Sequence, residues 1–303
     1  MRPERRARTI RAFAAASPAR RLVMRAAALA LMASVIITAS GAAQRHDKRV
    51  TLRIAPRVGD TILTHLTQSM DLVGTARVAN GDSTMRVHSE LELYSRVIVE
   101  ARSDRGTTVT SRTDSAAASS AGGRSVATPD ALRAAFVGKQ VRLRISPEGS
   151  ATVLTAPEGL PADVASIISQ VPAMLPAAPV AVGESWTHRM TIPISGAAGV
   201  NGAMLETTYR LDSLSGDGKM AYISMNGRLT RDEGAGELPS GALLSSEGTL
   251  TGTLVVDRER GWWHDSQATV HVRSVVTPAR GGPDRRATLQ LTVTQRLHTG
   301  ERP

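Results

Sequence analysis

Cysteine is absent from this chain of 303 residues, which excludes disulfide staples, thiolate metal sites and a lipid-modified cysteine. Aromatic residues are few, three Trp, three Tyr and two Phe, too few to build stacking platforms for bases in number. Lysine stands only at positions 48, 139 and 219 among 37 basic residues, a bias that fits a GC-rich genome and not a binding role. The sequence also lacks a Gly-x-Ser-x-Gly elbow, a Ser-x-x-Lys pair, a His-Glu-x-x-His helix and a phosphate-binding glycine loop. Ser215 to Met220, "SGDGKM", has the letters of such a loop but the setting of a hairpin.

The apolar run Ala26 to Ala39 is 14 residues long, short of the roughly 18 that suggest a membrane-spanning helix and right for the core of a secretory signal. A basic leader precedes it and Ser40-Gly41-Ala42-Ala43 follows it, so residues 1–43 read as a signal peptide cleaved before Gln44. Met24 offers a second start, and an uncleaved anchor is the rival reading. The leader carries eight Arg and one Glu, so removing its +7 takes the net charge from +10 to +3. A mature chain so weakly basic gives no ground for nucleic acid as a partner. The expected protein is exported, periplasmic or secreted, monomeric, without a membrane span after cleavage and without a cofactor or metal.

What the sequence has is period two. From Met85 to Ala101 the odd positions are apolar or small and the even ones polar, with Ile98 the exception. Ala287 to Leu297, Ala268 to Val276, Leu250 to Val256, Val141 to Ile145 and Ala221 to Leu229 alternate in the same way. Such alternation makes strands with one dry and one wet face, the habit of antiparallel sheets. Hairpin-type loops separate them at Asn80-Gly81-Asp82, Ser103 to Gly106, Pro147 to Gly149, Ser215 to Gly218 and Arg258 to Gly261. The expectation is a mainly β fold: one large curved antiparallel sheet of roughly a dozen strands, a half-barrel or open barrel. Two short helices, Thr128 to Gly138 and Leu160 to Pro172, would lie on its concave face. The segments Ser115 to Gly123, Ser195 to Ala203 and Asp232 to Gly248 lack periodicity and read as mobile loops, the first of them a candidate gate.

Val58 to His65, "VGDTILTH", is echoed by Val182 to His188, "VGESWTH". Residues 44–303 therefore form a single β-rich domain with candidate internal repeats at 50–155 and 176–300; chance likeness between strand starts is the other explanation. The two histidines are out of step by one residue, and a one-residue slip changes face.

Leu175 to His188, "LPAAPVAVGESWTH", resembles a group of uncharacterised exported bacterial proteins with a Pro-Val-x-Val-Gly-(Asp/Glu)-x-Trp motif. The expected architecture is also similar to the lipoprotein-localisation carriers, whose half-barrel shelters acyl chains. That second resemblance implies a carrier, but a fold does not convey a function.

Polar clusters have plain explanations. His88, Glu90 and Glu92 share a strand face that a solvated surface accounts for. His264 and Asp265 are adjacent and would point to opposite faces, behind a tryptophan pair, Trp262 and Trp263. Asp60 and Glu184 fit turn caps. The favoured reading is a non-enzymatic binding or carrier protein sheltering an acyl chain, lipid or lipoprotein segment. Its expected lining is Leu91, Leu93, Val97, Val99, Phe136, Ile167, Ile168 and Val171, with a closed core as the rival role of each. A structural or interaction protein of the cell envelope, with an envelope protein as partner, is the alternative, and a hydrolase the third.

Overall fold

The computed structural model describes residues 49–78, 81–122, 134, 136–156, 173–192, 203–231, 242–277 and 286–300. The chain divides into Met1–Lys48, which lies outside the described residues with the expected signal segment, and Arg49–Pro303, which holds every strand of the sheet. The second expected helix and most of the first also lie outside. No helix among the described residues is long and apolar enough to cross a membrane.

Eleven strands follow in order: β1 Thr61–Val78, β2 Gly81–Ser103, β3 Gly106–Ala121, β4 Gln140–Ile145, β5 Ala151–Thr155, β6 Ser185–Ile192, β7 Ala203–Leu214, β8 Met220–Arg231, β9 Leu243–Asp257, β10 Trp262–Thr277 and β11 Ala287–Thr299. They form one antiparallel sheet in the order β5-β4-β3-β2-β1-β11-β10-β9-β8-β7-β6. Every strand pairs with its successor except β5 with β6, and β11 returns to pair with β1. The sheet is thus an up-and-down cycle left open at one junction, and it does not close into a barrel.

Register carries one apolar face across the sheet. Met190, Leu205, Leu229, Gly248, Val272, Leu291, Leu72 and Val87 form an unbroken row from β6 to β2. The opposite face is polar and rich in threonine, with Thr249, Thr251 and Thr253 on β9 beside Thr269 on β10. This two-sided chemistry is what the alternation in the sequence dictates, since neighbouring side chains on a strand point to opposite faces.

The core gathers at the end of the sheet where β1, β3, β8 and β10 begin. Ile62, Val99, Val109, Leu211, Ile223, Leu254 and Val256 are sealed there, together with Leu52 and Ile54 from the strap 49–57 and Leu175 from the segment before β6. In the strap Leu52 and Ile54 turn inward while Thr51 and Arg53 stay exposed. Ile54 donates its N–H to the Pro147 carbonyl at 2.8 Å in the β4–β5 turn, and Ala55 donates to the Gly261 carbonyl at 2.9 Å in the β9–β10 turn. In a flat sheet those turns would lie about 30 Å apart at ~4.8 Å per strand. Two consecutive residues bridge them, so the sheet curls tightly around its core at this end.

Glycine makes part of that tight packing. Gly252 on β9 lies opposite Met225 and Ala268, and a Cβ there would fall on the Gln267 carbonyl, 2.7 Å from the Met225 methyl and 3.0 Å from the Ala268 Cα. Neighbouring strands can approach this closely only where the side chain is missing.

The structure corrects the loop expectations in part. Ser115–Ala121 is not a loop but the end of β3, with Ala116 opposite Leu93 and Ala118 opposite Leu91, so it is no gate. Its small side chains alternate in and out of the pleat without leaving a hydropathy signal, and they seat beside the bulky leucines of β2. Leu243–Gly248 likewise belongs to β9, with Ala242 buried just before it, and Ala203 opens β7; residues 195–202 and 232–241 lie outside the described residues.

The echoed stretches build the same turn. Gly59 and Gly183 have φ of 91° and 92°. Gly59 donates to the Val99 carbonyl and Val99 donates back to Asp60; Gly183 donates to Leu211 and Leu211 back to Glu184. The carboxylate of each cap accepts a backbone N–H three residues before it, Arg57 for Asp60 and Ala181 for Glu184. The histidines that follow diverge. His65 is on the polar face, stacked on Tyr94 at 4.2 Å, whereas His188 is on the apolar face, bonded to the Leu175 carbonyl at 3.2 Å.

Candidate functional site

Beyond the sealed core the apolar face continues. Leu93, Leu66 and Leu297 follow each other across β2, β1 and β11, and Met70, Val293 and Val270 make the next apolar stretch of β1, β11 and β10. Leu91, Leu72, Leu289 and Leu291 fill the rows around them. All ten are only partly buried, and they belong to neither of the two buried clusters. On the other flank Ala203, Leu205 and Leu229 are sealed in a small cluster of their own. The accessible part of the face is therefore the stretch of long strands β2, β1, β11 and β10.

The expected lining divides accordingly. Leu91 and Leu93 are in the accessible stretch. Val97, 7% exposed, and Val99, 1% exposed, are packed in the core where protein atoms surround them. Phe136 is partly buried just before β4, close to where Gly138 and Lys139 bond with Thr113 of β3. Ile167, Ile168 and Val171 lie outside the described residues. Sequence reasoning passed over Leu66, Met70 and Leu72, because Thr64, Gln68 and Gly74 stand between and beside them and break the apolar alternation of β1.

The polar face carries a concavity. A groove of about 490 Å³ runs over β3, β2, β1 and β11, lined by Thr67, Ser69, Glu90, Glu92, Ser119, Thr294 and Arg296 among others. Its charged groups hold one another. Glu92 accepts from His65 at 2.8 Å and from the Tyr94 hydroxyl at 3.0 Å, and these bonds keep its carboxyl below the usual range. His88 lies 2.7 Å from Asp71 and 3.5 Å from Glu90; the bond to Asp71, then that to Glu90, pushes its imidazole pKa upward. Arg296 reaches Asp265 at 3.3 Å, as does His298. A carboxylate held ionised in this way accepts hydrogen bonds and is a poor proton donor near neutral pH. Among the described residues no cluster of three or more His, Asp or Glu is arranged to hold a metal ion.

The other sequence candidates fall into structural roles. Trp262 and Trp263 meet edge to face at 4.9 Å in the core. The β10 ladder slips between Trp263 and Asp265, so His264 is the extra residue of a bulge. Burial pushes the Tyr209 phenol up to about 12.

Fold and faces define an open, one-sided antiparallel β-sheet protein. A family model described as a family of unknown function (DUF6263) matches residues 162–263, a span that includes the Pro179 to Trp186 motif. No curated protein matches. Among solved structures, one titled for lipid-protein interactions in lipovitellin aligns at 9% identity and a TM-score of 0.45, covering 82% of this chain and 26% of that one. An outer membrane channel from Pseudomonas putida F1 aligns at 10% identity and a TM-score of 0.25, covering 81% of this chain and 97% of that one. The chain thus spans about a quarter of the lipovitellin chain.

Proposed function

We propose that this protein is a non-enzymatic, exported carrier that shelters an apolar ligand, an acyl chain of a lipid or lipoprotein, against the accessible apolar rows of β2, β1, β11 and β10. One observation carries the reading: rows that begin in a sealed core continue beyond it as partly buried Leu66, Met70, Leu72, Leu91, Leu93 and Leu291. Burial of each ligand CH₂ against such a surface contributes about 0.8 kcal/mol, so a chain with some ten methylenes in contact gains several kcal/mol after its ordering cost. The polar groups on the opposite face keep the outside of the sheet wet.

Native mass spectrometry of protein purified from its own host tests this directly, with a co-purified lipid as the expected result. Protein that emerges clean, and that also ignores added fatty acids and fluorescent apolar probes, overturns the reading.

A further inference from the structure

Where the strap crosses the curled end of the sheet it brings together three arginines from separate parts of the chain. Arg53 is on the strap, Arg102 follows the last inward residues of β2, and Arg258 opens the β9–β10 turn. All three line one cleft of about 380 Å³ beside Ala55 and Gly261. The geometry points to a binding site for a phosphate monoester in this cleft, held by the guanidinium groups of Arg53, Arg102 and Arg258.

The charge there is unbalanced. The carboxylate among the lining residues, Glu259, is already taken by Lys219 at 2.7 Å. Arg53 is exposed and has no hydrogen-bond or ion-pair partner among the described residues. Among the described residues Arg102 makes only a long bond, 3.4 Å from its Nη1 to the Ala55 carbonyl. Arg258 gives one Nη1 bond to the Gly218 carbonyl, and its Nε is buried with no partner. Three guanidinium groups line this cleft against one carboxylate, and a dianion would offset that excess of positive charge. Guanidinium forks match phosphoryl oxygens in pairs, and a phosphate monoester near charge −2 suits three of them better than a single carboxylate does.

Neighbouring features support the assignment. A second cleft of about 410 Å³ shares Arg53, Ala55 and Arg102 and adds Asp104 and Thr107. Asp104 makes it the less suitable for an anion. The cleft is also rigidly built. Gly261 has φ of 65°, and a Cβ on it would lie 2.8 Å from the backbone of Ala55, so the strap sits directly on the turn that carries Arg258. The strap's N–H groups at Ile54 and Ala55 are spent on Pro147 and Gly261, which leaves recognition to the side chains.

The test titrates the full chain with inorganic phosphate and glycerol 3-phosphate by calorimetry, and with vesicles of phosphatidylcholine alone or with added phosphatidic acid by co-sedimentation. Saturable binding is expected, falling at least tenfold in Arg53→Gln and again in Arg102→Gln, weakening with salt, and unchanged in Arg189→Gln on β6. Arg53 and Arg102 are both exposed, so an unchanged thermal melt separates lost binding from lost fold. Binding of the soluble phosphates alone assigns the site to a free phosphate; arginine-dependent binding to phosphatidic acid vesicles assigns it to a lipid headgroup. Absence of both, or binding that survives the Arg53→Gln/Arg102→Gln double variant, overturns the site. The apolar face plays no part in this readout, so apolar-probe binding stays intact in the arginine variants whichever way the result falls.

Discussion

Truncating leucines on the two parts of the apolar face separates a ligand surface from a closed core. Leu66 and Leu93 are Cα partners on β1 and β2, partly buried and outside both sealed clusters. Leu254, on the same face of β9, is 0% exposed. Leu254→Ala leaves a cavity that its neighbours cannot fill, so both transfer and cavity terms apply and the expected loss is about 3–5 kcal/mol. Leu66→Ala and Leu93→Ala remove similar volume, but from a face that water reaches. The truncation leaves a dent in place of a void, and the loss is limited to about 1–2 kcal/mol each. Urea unfolding at constant m-value measures all three. In the carrier reading the same pair of substitutions weakens binding of a fluorescent fatty acid by about tenfold, the equivalent of ~1.4 kcal/mol of contact, while Leu254→Ala does so only in step with unfolding. Leu66→Ala and Leu93→Ala as costly as Leu254→Ala, with probe binding unaltered, would refute the reasoning.

Other expectations follow from particular contacts. Gly252→Ala places a methyl group against the Gln267 carbonyl and the Met225 methyl and is expected to cost about 1–3 kcal/mol or more, whereas Gly216→Ala, with open space around it, leaves the urea midpoint nearly unmoved. The His88 imidazole, raised by Asp71 and Glu90, titrates above 6.5 by NMR and falls back in Asp71→Asn; its stabilisation is complete below the unfolded value of 6.5 and is lost as pH rises through the higher folded one. Glu92 behaves in the opposite sense. Its lowered pKa means a contribution present above about 4.5 and lost as pH falls through the folded value, which a His65→Gln variant should lose. Spectrophotometric titration should find the Tyr209 phenol resisting ionisation until about pH 12, and a midpoint near 10 would show that water reaches the ring.

The strands whose two faces differ most in polarity were the ones legible from the chain alone. Met85 to Ala101 alternates with Ile98 as its one exception, and it lies within β2, the longest of the eleven strands. The end of β3 escaped notice because alanine and serine differ too little in hydropathy to mark a face, although Leu91 and Leu93 across the ladder needed small neighbours there. Composition likewise explains why the start of β9 read as loop: Leu243–Gly248 mixes Ser, Glu and Gly with two leucines. Of the expected lining, Leu91 and Leu93 were found by alternation, but that pattern cannot tell them from Val97 and Val99 a few steps further on. Which part of a dry face is sealed depends on the strap and on the curl, and both are tertiary events. The arginine cleft had no local signature, because its members come from a strap, a strand end and a turn that only the curl brings together.

The strand order has a consequence for how the chain finds its structure. Pairing of β1 with β11 joins Thr64 to Thr299, so the centre of the sheet depends on the most distant partners in the sequence, while its two free edges, β5 and β6, come from the middle. Such contacts carry the largest loop-closure entropy and slow folding. A circular permutant that begins at residue 173, links residue 300 to residue 49 and ends at residue 156 would bring β11 and β1 close together in sequence, and should reach the same sheet faster than the natural order does.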